Sequence, residues 1–368
     1  MNILITGGAG FIGGHTAEAL IAAGNTVRVM DNLSEPVHRN GKPSYLAPGA
    51  ELIIGDVRNK ADWEKALDGI DAVYHLAAYQ DYLTDFSTFF HVNTVGTSLL
   101  YEVAVEKKLP LKKVVVASSQ AVYGEGKYLD ASGKYVYPAI RPRSQLESGN
   151  WDITGQGGPM QPLFTDQAVV NPQNQYAVSK YTQELVALNL GRRYDIPTVC
   201  MRYSIVQGPR QSLYNAYSGA CRIFSLCFHY SRQPLIYEDG LQFRDFVNVE
   251  DAVRANLLVM AKHEADYRCF NVGGGRQYTV LEFARIAADV YGQPFEPVMT
   301  GEFRFGDTRH ISSDIEELRQ LGWEPRNDAR YSLEKYKEWL QSQDASEEIL
   351  EYAYKRMRET NVIGSSRK

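Results

Sequence analysis

Tyr176 and Lys180, in the segment NQYAVSKYTQE (174–184), stand one helical turn apart and could form an acid–base pair. Side chains at positions i and i+4 share one face of a helix. A free tyrosine has a pKa of about 10, so its use as a base at neutral pH requires a shift of roughly three units. A nearby ammonium group favours the phenolate and shifts the pKa in that direction. Because the chain has 24 tyrosines, an ordinary surface pair is the alternative interpretation.

The start of the chain has the pattern of a β-α-β unit that could position such a pair. NILIT (2–6) is a short apolar run, which is typical of a buried parallel strand. GGAGFIGG (7–14) follows and leads through a helical stretch into a second strand, TVRVMD (26–31). Further strands, separated by helical patterns, are predicted in ELIIGDVRN, DAVYHLAA and KKVVVASS. Strands that alternate with helices predict an α/β fold with a doubly wound parallel sheet.

The glycines of the first turn are spaced for binding the phosphates of a dinucleotide. Gly7, Gly10 and Gly13 recur at every third residue. Such glycines allow a tight turn and a close approach of the backbone to a pyrophosphate at the helix N-terminus. Asp31 ends the second strand, where a carboxylate would bond the ribose hydroxyls and repel a 2′-phosphate. The pattern therefore favours NAD over NADP, and a purely structural glycine turn is the alternative.

The ends of the predicted strands would bring these groups together. Ligands of doubly wound sheets bind beyond the carboxyl ends of the strands. Ser119 ends the fifth strand, and its hydroxyl could bond a sugar oxygen and help to pass a proton to Tyr176. The strand ends expected to line one crevice are Gly7, Asp31, Asp56, Ala77–Ala78 and Ser118–Ser119.

Seven short segments together resemble the extended short-chain dehydrogenase/reductase family, and within it the NAD-dependent nucleotide-sugar epimerases and dehydratases. They are TGGAGFIG, DN (31–32), GDVRN, HLAA, VNTVGT, SSQAVYG and YAVSK. The resemblance implies that Ser119, Tyr176 and Lys180 are catalytic, with Tyr176 as the base and Lys180 holding the nicotinamide ribose. The residues that it implies for cofactor binding are Gly7, Gly10, Phe11, Ile12, Gly13, Asp31, Asn32, Asp56, Val57, Leu76, Ala77, Ala78, Asn93, Tyr176, Lys180 and Tyr203.

The resemblance also bears on the reaction. Family dehydratases carry an Asp-Glu pair directly after the catalytic hydroxyl, where this chain has Gln120 and Ala121. Neither residue is an acid or a base at neutral pH. What remains is 4-epimerisation through a transient 4-keto sugar, which needs only reversible hydride transfer and a base. The alternatives are a net NAD-dependent dehydrogenase or reductase, an epimerase at C3 or C5, and a non-catalytic NAD-binding regulator.

The C-terminal half is expected to hold a nucleotide-diphosphate sugar. By resemblance, Arg244 and Arg304 clamp the diphosphate, and guanidinium forks suit phosphate oxygens. An ion pair of Arg244 with Asp245 or Asp251 is the alternative. The substrate-binding residues that the resemblance implies are Ser119, Gln120, Asn215, Tyr237, Arg244 and Arg304.

The expected domains are an NAD-binding Rossmann domain over 1–200 and, over 201–358, mainly a smaller α/β substrate-binding domain with some segments that return to the first. Residues 359–368 are expected to form a flexible tail. A long insertion, 125–170, is rich in Gly, Pro and Tyr, and we expect an ordered lid beside the sugar pocket. Within it, Arg141 and Arg143 are expected to be solvated, with phosphate contact as the alternative.

Composition excludes several classes of protein. The net charge of -5 argues against nucleic-acid binding, and no apolar run approaches the roughly 20 residues of a membrane span. The first residues do not resemble a signal peptide. The four cysteines, without a Cys-x-x-Cys pair, predict buried free thiols in a reducing cytoplasm. The seven histidines lack the spacing of metal ligands, so no metal site is expected.

A homodimer is expected, because family members commonly dimerise through the helix that carries Tyr-x-x-x-Lys and the helix before the fifth strand. Here these helices are predicted over about 173–193 and 86–107. Apolar residues on a second face of each helix would need a partner, and two helices from each subunit would form a four-helix bundle. The residues expected at the interface are Leu99, Leu100, Val103, Tyr181, Leu185 and Leu188.

Overall fold

The computed structural model describes residues 1–81, 84–215, 219–359 and 363–366. The N-terminal elements are β1 (Asn2–Thr6), α1 (Phe11–Ala22), β2 (Thr26–Asp31), β3 (Glu51–Ile54), α2 (Lys60–Ala66), β4 (Ala72–His75), α3 (Phe86–Phe89), α4 (Gly96–Glu106) and β5 (Lys113–Ser119). A π-helical turn, Phe90–Val95, joins α3 to α4, and a 3-10 turn, Gln120–Tyr123, follows β5.

The insertion and the C-terminal half contribute shorter strands and longer helices. In chain order these are β6 (Tyr128–Leu129), β7 (Tyr135–Val136), α5 (Arg143–Glu147), β8 (Thr154–Gly155), β9 (Gly158–Pro159), β10 (Gln161–Pro162), α6 (Gln175–Arg193), β11 (Thr198–Tyr203), β12 (Ile205–Gln207), α7 (Ala220–His229), β13 (Leu235–Ile236), β14 (Phe243–Asn248), α8 (Val249–Ala261), β15 (Arg268–Val272), β16 (Gln277–Thr279), α9 (Val280–Tyr291), β17 (Val298–Met299), β18 (Glu302–Arg304), α10 (Glu316–Gln320), α11 (Ala329–Gln341), α12 (Glu348–Glu359) and β19 (Ile363–Ser365).

The central sheet of the described chain has seven parallel strands in the order β15-β11-β5-β4-β1-β2-β3. The strand order reverses between β1 and β4, which opens a crevice beyond their carboxyl ends. Strands β1 and β5 are nearly continuous apolar runs because helices cover both faces of the sheet. Helices α1 and α8 pack on one face, and α2, α4 and α6 pack on the other. The predicted doubly wound α/β fold is confirmed.

A second hydrophobic core lies in the C-terminal half. Helices α7, α9 and α11 pack around it, and β12, β14 and β16 form a three-stranded sheet beside it. In this sheet β12 and β14 are parallel, and β16 is antiparallel to β14. Ile205 and Val206 of β12 and Arg244 of β14 line the same crevice as the carboxyl ends of the central strands.

Two segments carry more structure than their composition predicts. Within the insertion, β6 pairs with both β7 and β10, and β8 pairs with β9. Within the predicted flexible tail, β19 forms an antiparallel pair with β18, and Gly364 lies against the ring of Phe303. The β6–β10 and β18–β19 pairs join strands that are far apart in the sequence, which composition alone does not indicate. The rest of that tail, residues 360–362 and 367–368, lies outside the described residues.

The described residues show neither a membrane-spanning helix nor a metal-binding cluster. None of its helices combines the length and the apolar character that crossing a bilayer requires. Groups of three or more His, Cys, Asp or Glu placed to hold a metal ion are absent from the described residues. The cysteines are free thiols, and three of them, Cys200, Cys221 and Cys227, are buried.

Candidate active site

One cleft runs along the carboxyl ends of the central strands and brings together nearly all the predicted site residues. Among the described residues, Asn93 and Tyr237 are the predicted ones that do not line it. Those that do are Gly7, Gly10, Phe11, Ile12, Gly13, Asp31, Asn32, Asp56, Val57, Leu76, Ala77, Ala78, Ser119, Gln120, Tyr176, Lys180, Tyr203, Asn215, Arg244 and Arg304.

The glycine turn between β1 and α1 has no room for side chains. Gly7 has φ +67°, and a Cβ atom there would lie 2.8 Å from the backbone of Ala77. A Cβ atom on Gly13 would lie 2.3 Å from the carbonyl oxygen of Gly7. Helix α1 begins directly after this turn, so its unpaired amide groups face the cleft. The turn therefore exposes bare backbone to any ligand in the cleft.

Asp31 lies at the end of β2, beside the glycine turn. One carboxylate oxygen accepts a hydrogen bond from the Ala9 amide at 3.1 Å, and the other accepts from the Leu33 amide at 2.9 Å. These bonds fix the carboxylate at the edge of the cleft, with His38 Nε2 at 3.7 Å. Further along this edge, hydrogen bonds from Arg58 lower the pKa of Asp56 to about 2.

Ser119, at the end of β5, and Tyr176 and Lys180, on α6, all line the cleft. Helix α6 begins just before Tyr176 because the Asn174 side chain caps it by accepting from the Ala177 amide at 2.8 Å. Tyr176 and Lys180 are therefore one turn apart on the face that packs against β5. Both are buried, with Lys180 only 1% exposed. Burial lowers the pKa of Lys180 to about 7, and the Glu184 carboxylate opposes that shift.

Asn93, predicted to be near the cofactor, is fully buried and ties three segments together. Its side-chain oxygen accepts from the Tyr79 amide at 2.9 Å, and its nitrogen donates to the Tyr79 carbonyl and to Ser179 Oγ. These bonds join the loop after β4 to α6. Asn93 thus holds the cleft wall in place and stands behind its surface.

Arg244 presents a guanidinium group to the cleft without an ion-pair partner among the described residues. It donates to the carbonyl oxygens of Phe243, Thr308 and Arg309 at 2.8, 2.9 and 3.2 Å. The alternative pairing with Asp245 or Asp251 is wrong, because those carboxylates bind other groups. Asp245 accepts from Ser204 and two backbone amides, and Asp251 pairs with Arg254. The positive charge of Arg244 is thus available to an anion.

Arg304 lines the cleft beside Arg244 but has a carboxylate partner. Its Nη2 lies 2.6 Å from Asp307 Oδ2, and its guanidinium carbon lies 5.3 Å from the centre of the Tyr237 ring. Tyr237 therefore supports Arg304 from behind. Tyr237, predicted to bind the substrate, thus lies outside the cleft lining and contacts Arg304.

A buried ionic cluster joins the insertion to this end of the cleft. Arg141 makes paired hydrogen bonds to Glu238 at 3.0 and 2.8 Å, and its Nε lies 3.6 Å from Glu125. Arg309 binds Glu238 at 3.1 Å and Asp239 through two nitrogens. The expectation that Arg141 is solvated is wrong, since it is 2% exposed. The sequence does not reveal this cluster, because its members lie far apart along the chain.

Comparison with known proteins now identifies the family. The model of the NAD-dependent epimerase/dehydratase family matches residues 3–145 and 151–273, which is more than half of the chain. The chain belongs to this family. The matched residues include the glycine turn, Asp31, Ser119, Tyr176 and Lys180.

Individual relatives support this assignment over nearly the whole length. The chain is 36% identical to dTDP-L-rhamnose 4-epimerase of Burkholderia thailandensis, over 92% of this chain and 94% of that protein. The crystal structure of UDP-glucose 4-epimerase of Thermotoga maritima with UDP-glucose superposes with a TM-score of 0.76, at 30% identity, over 93% of this chain and 99% of that one. The structure of UDP-glucose 4-epimerase of Thermus thermophilus in complex with NAD superposes with a TM-score of 0.72, at 26% identity, over 93% of this chain and 99% of that one.

The cleft of this epimerase/dehydratase family member suits NAD. The side-chain-free glycine turn leaves space for a diphosphate against the start of α1. Asp31, Tyr176 and Lys180 line the same cleft. At position 13, any residue other than glycine would displace the backbone of the turn.

We expect Gly13→Ala to release bound NAD, because the new methyl group must push the Gly7 carbonyl away from the turn. The affinity for NAD should fall by at least about tenfold, which corresponds to roughly 1.4 kcal/mol. Gly14→Ala is the matched control, since a Cβ atom there meets nothing nearer than 3.8 Å. Isothermal titration of both cofactor-free variants measures the difference. Equal losses in the two variants would contradict the role given to the turn.

We also expect a strong preference for NAD over NADP. The fixed Asp31 carboxylate would lie close to a 2′-phosphate and repel it. Titration of the cofactor-free protein with each nucleotide tests this, and Asp31→Asn should reduce the preference. Equal affinities in the unaltered protein would remove Asp31 from its assigned position beside the ribose.

Proposed function

We propose that this protein is an NAD-dependent nucleotide-sugar 4-epimerase that works through a transient 4-keto sugar. The observation that carries the proposal is the group formed by Ser119, Tyr176 and Lys180 at the end of a cleft suited to NAD. The positions directly after Ser119 carry Gln120 and Ala121 in place of acids. The site therefore has the base for alcohol oxidation and lacks the two acids that the resemblance assigns to dehydration.

Tyr176 is the base that takes the proton of the sugar 4-hydroxyl and later returns it. In a dry site a phenolate needs a neighbouring positive charge, and Lys180 supplies it one turn along α6. When bound, NAD would supply the hydride chemistry: it would take a hydride, the C4 hydrogen with its two electrons, and return it. Ser119 Oγ accepts from the Ala121 amide at 3.1 Å, which leaves its own hydrogen to donate to the sugar oxygen.

The same cleft holds the groups for the rest of the substrate. Arg244, whose contacts among the described residues are with carbonyl oxygens, would bind the diphosphate, assisted by Arg304 and Asn215. Gln120 Oε1 is buried without a hydrogen-bond partner among the described residues. A sugar hydroxyl would satisfy this oxygen, which supports the predicted role of Gln120 in substrate binding.

Glu125 also lines the cleft, and its position bears on the dehydratase alternative. Its Oε2 accepts from the Arg309 amide at 2.7 Å, and its Oε1 faces Arg141. The carboxylate is 1% exposed and belongs to the ionic cluster. It is therefore already engaged, and does not stand in for the acid pair of a dehydratase.

The test is a panel of UDP-, dTDP-, GDP- and CDP-sugars, incubated with the purified protein and followed by NMR. We place dTDP-L-rhamnose first, because the Burkholderia thailandensis relative bears its name. Inversion at C4 without added cofactor is the expected result. Release of a ketosugar with reduced cofactor would indicate a net oxidoreductase, inversion at C3 or C5 another epimerase, and binding without turnover a regulator.

A homodimer and a cytoplasmic location complete the proposal. The predicted interface needs correction, since Leu100 and Val103 are buried in the core, and Leu99, Tyr181 and Leu188 are partly buried. The exposed apolar residues on these helices are Phe86, Val95, Val178 and Leu185, of which only Leu185 was among the predicted residues. Val178 and Leu185 are seven positions apart on α6 and so share a face. The free thiols support a reducing compartment.

We expect light scattering at micromolar concentration to give twice the 41.4 kDa mass of one chain. Leu185→Glu should shift the mass toward that of a single chain, because it places a carboxylate in the apolar interface. Leu241→Glu is the control, since Leu241 is 50% exposed on a different part of the molecule. A single-chain mass for the unaltered protein would refute the dimer.

A further inference from the structure

A continuous chain of buried hydrogen bonds lies behind Lys180. Lys180 Nζ donates to Gln183 Oε1 at 2.6 Å, and Gln183 Nε2 donates to Thr97 Oγ1 at 2.9 Å. Thr97 Oγ1 lies 2.9 Å from His75 Nε2, and His75 Nδ1 lies 2.7 Å from Thr6 Oγ1. Every residue in this hydrogen-bond network is at most 1% exposed. The network connects α6 to α4, β4 and β1, and β1 is the strand that leads into the glycine turn.

Each hydrogen in this network has one consistent place. Thr97 Oγ1 donates to the Asn93 carbonyl at 2.7 Å, so it must accept from both Gln183 Nε2 and His75 Nε2. His75 is then the neutral Nε2–H tautomer, and its Nδ1 accepts from Thr6. Burial and the nearby Lys180 charge lower the pKa of His75 to about 3, in agreement with a neutral ring.

This arrangement fixes which way the Gln183 amide points. Its nitrogen must face Thr97, because that hydroxyl has already given its hydrogen to a carbonyl oxygen. Its oxygen must therefore face the Lys180 ammonium group. An amide flip would place a nitrogen donor against the ammonium and remove the donor to Thr97.

We propose that Gln183 is a positioning residue, which holds the Lys180 side chain in place and in its charged form for its action on Tyr176. The inference rests on the proposed function for the identity of the base and its helper. Gln183 touches neither the reacting atoms nor the cleft surface, and it acts through Lys180. The hydrogen-bond acceptor favours the ammonium form, which burial disfavours.

Other ionisable groups face Lys180 from the elements around it. They are Tyr176 and Glu184 on α6, Cys200 on β11 and His75 on β4. Glu184 has the right charge to stabilise the ammonium, but both its oxygens bind Arg202, at 2.9 and 2.7 Å, and one also accepts from Ser118. Its charge is thus largely balanced by Arg202, which leaves Gln183 as the direct acceptor.

The test is the titration of Tyr176 in the NAD-bound protein, without any sugar nucleotide. The near-ultraviolet absorbance of phenolate reports it, after subtraction of the same titration of Tyr176→Phe. We expect Gln183→Leu to raise the pKa of Tyr176 by about one unit or more, since the neighbouring ammonium loses its acceptor.

Controls separate this role from a general structural one. Thr182→Val, at a neighbouring position on the outer side of α6, should leave the titration unchanged. If Gln183→Leu does not fold, Thr97→Val tests the same chain, since it removes the oxygen that orients the amide and should shift the pKa in the same direction. An unchanged Tyr176 titration in folded Gln183→Leu, or in folded Thr97→Val if that variant replaces it, would overturn the proposal.

The outcome is independent of the substrate. If no sugar nucleotide is turned over, the titration still decides whether Gln183 acts on Lys180. If epimerisation is observed, Gln183→Leu should lower kcat by about tenfold with little change in the KM for the sugar nucleotide. A fall in thermal stability without a shift in the titration would assign Gln183 a packing role only.

Discussion

Replacement of Tyr176 by Phe should reduce turnover by more than about 100-fold while NAD stays bound. The substitution removes the hydroxyl that exchanges the proton of the substrate and keeps the ring that packs in the cleft. Tyr176 is 8% exposed, so the aromatic contacts that hold it should survive in the variant. Turnover is measured by NMR on the substrate found with the sugar-nucleotide panel, and NAD retention by extraction from the purified protein.

A neighbouring tyrosine provides the control. Tyr181 lies on the same helix, partly buried beside Val122, Tyr123 and Ile311. Tyr181→Phe should keep nearly full turnover, because the chemistry places no demand on its hydroxyl. Near-original turnover in Tyr176→Phe would contradict the mechanism.

The second large effect is expected for Arg141→Met, which should lower the free energy of unfolding by about 3–5 kcal/mol at pH 8. The guanidinium group is the partner of Glu238 and faces Glu125, and all three side chains are buried. Methionine fills much of the volume but leaves the carboxylates without that positive charge. Urea unfolding measures the change. Arg143→Met, at an exposed position where the guanidinium lies over Phe305, should cost about 1 kcal/mol or less.

The pH dependence of this loss follows from Glu125. Burial raises the pKa of Glu125 to about 7, above its value in the unfolded chain, even with the arginines nearby. A group with a raised pKa contributes stability at acid pH, and that contribution is lost as the pH rises through the folded-state value. Arg141 lowers this pKa in the native protein, so its removal should raise the pKa of Glu125 further. The destabilisation by Arg141→Met should therefore grow as the pH rises from 6 to 8, by about 1 kcal/mol from Glu125. A pH-independent loss would show that Glu125 ionises equally well without Arg141.

The parts of the site that depend on local chemistry could be predicted from the sequence. Gly7 and Gly13 could be predicted because a turn without space for Cβ atoms admits only glycine. The positions of Asp31 and Ser119 could be predicted because both residues end apolar strands, and parallel strands end at a common edge of the sheet. The shared orientation of Tyr176 and Lys180 could be predicted because residues four positions apart lie on one face of a helix.

The parts that depend on long-range packing could not be predicted. Arg141 and Glu238 meet across 97 residues, and the Arg309 amide reaches Glu125 across 184. No periodicity or local motif encodes such partners. Leu100 illustrates a second limit, since apolar spacing on a helix shows that a face is buried without showing what covers it.

The most direct test of the central claim uses a sugar nucleotide labelled with deuterium at C4. A transient 4-keto sugar formed and reduced within one closed cleft should keep that deuterium on C4 while the configuration there inverts. NMR of the product in ordinary water reads both the label and the configuration. We predict an inverted C4 that retains deuterium, with no net reduced cofactor. Loss of the label to solvent, or accumulation of a ketosugar with reduced cofactor, would contradict the assignment as a 4-epimerase.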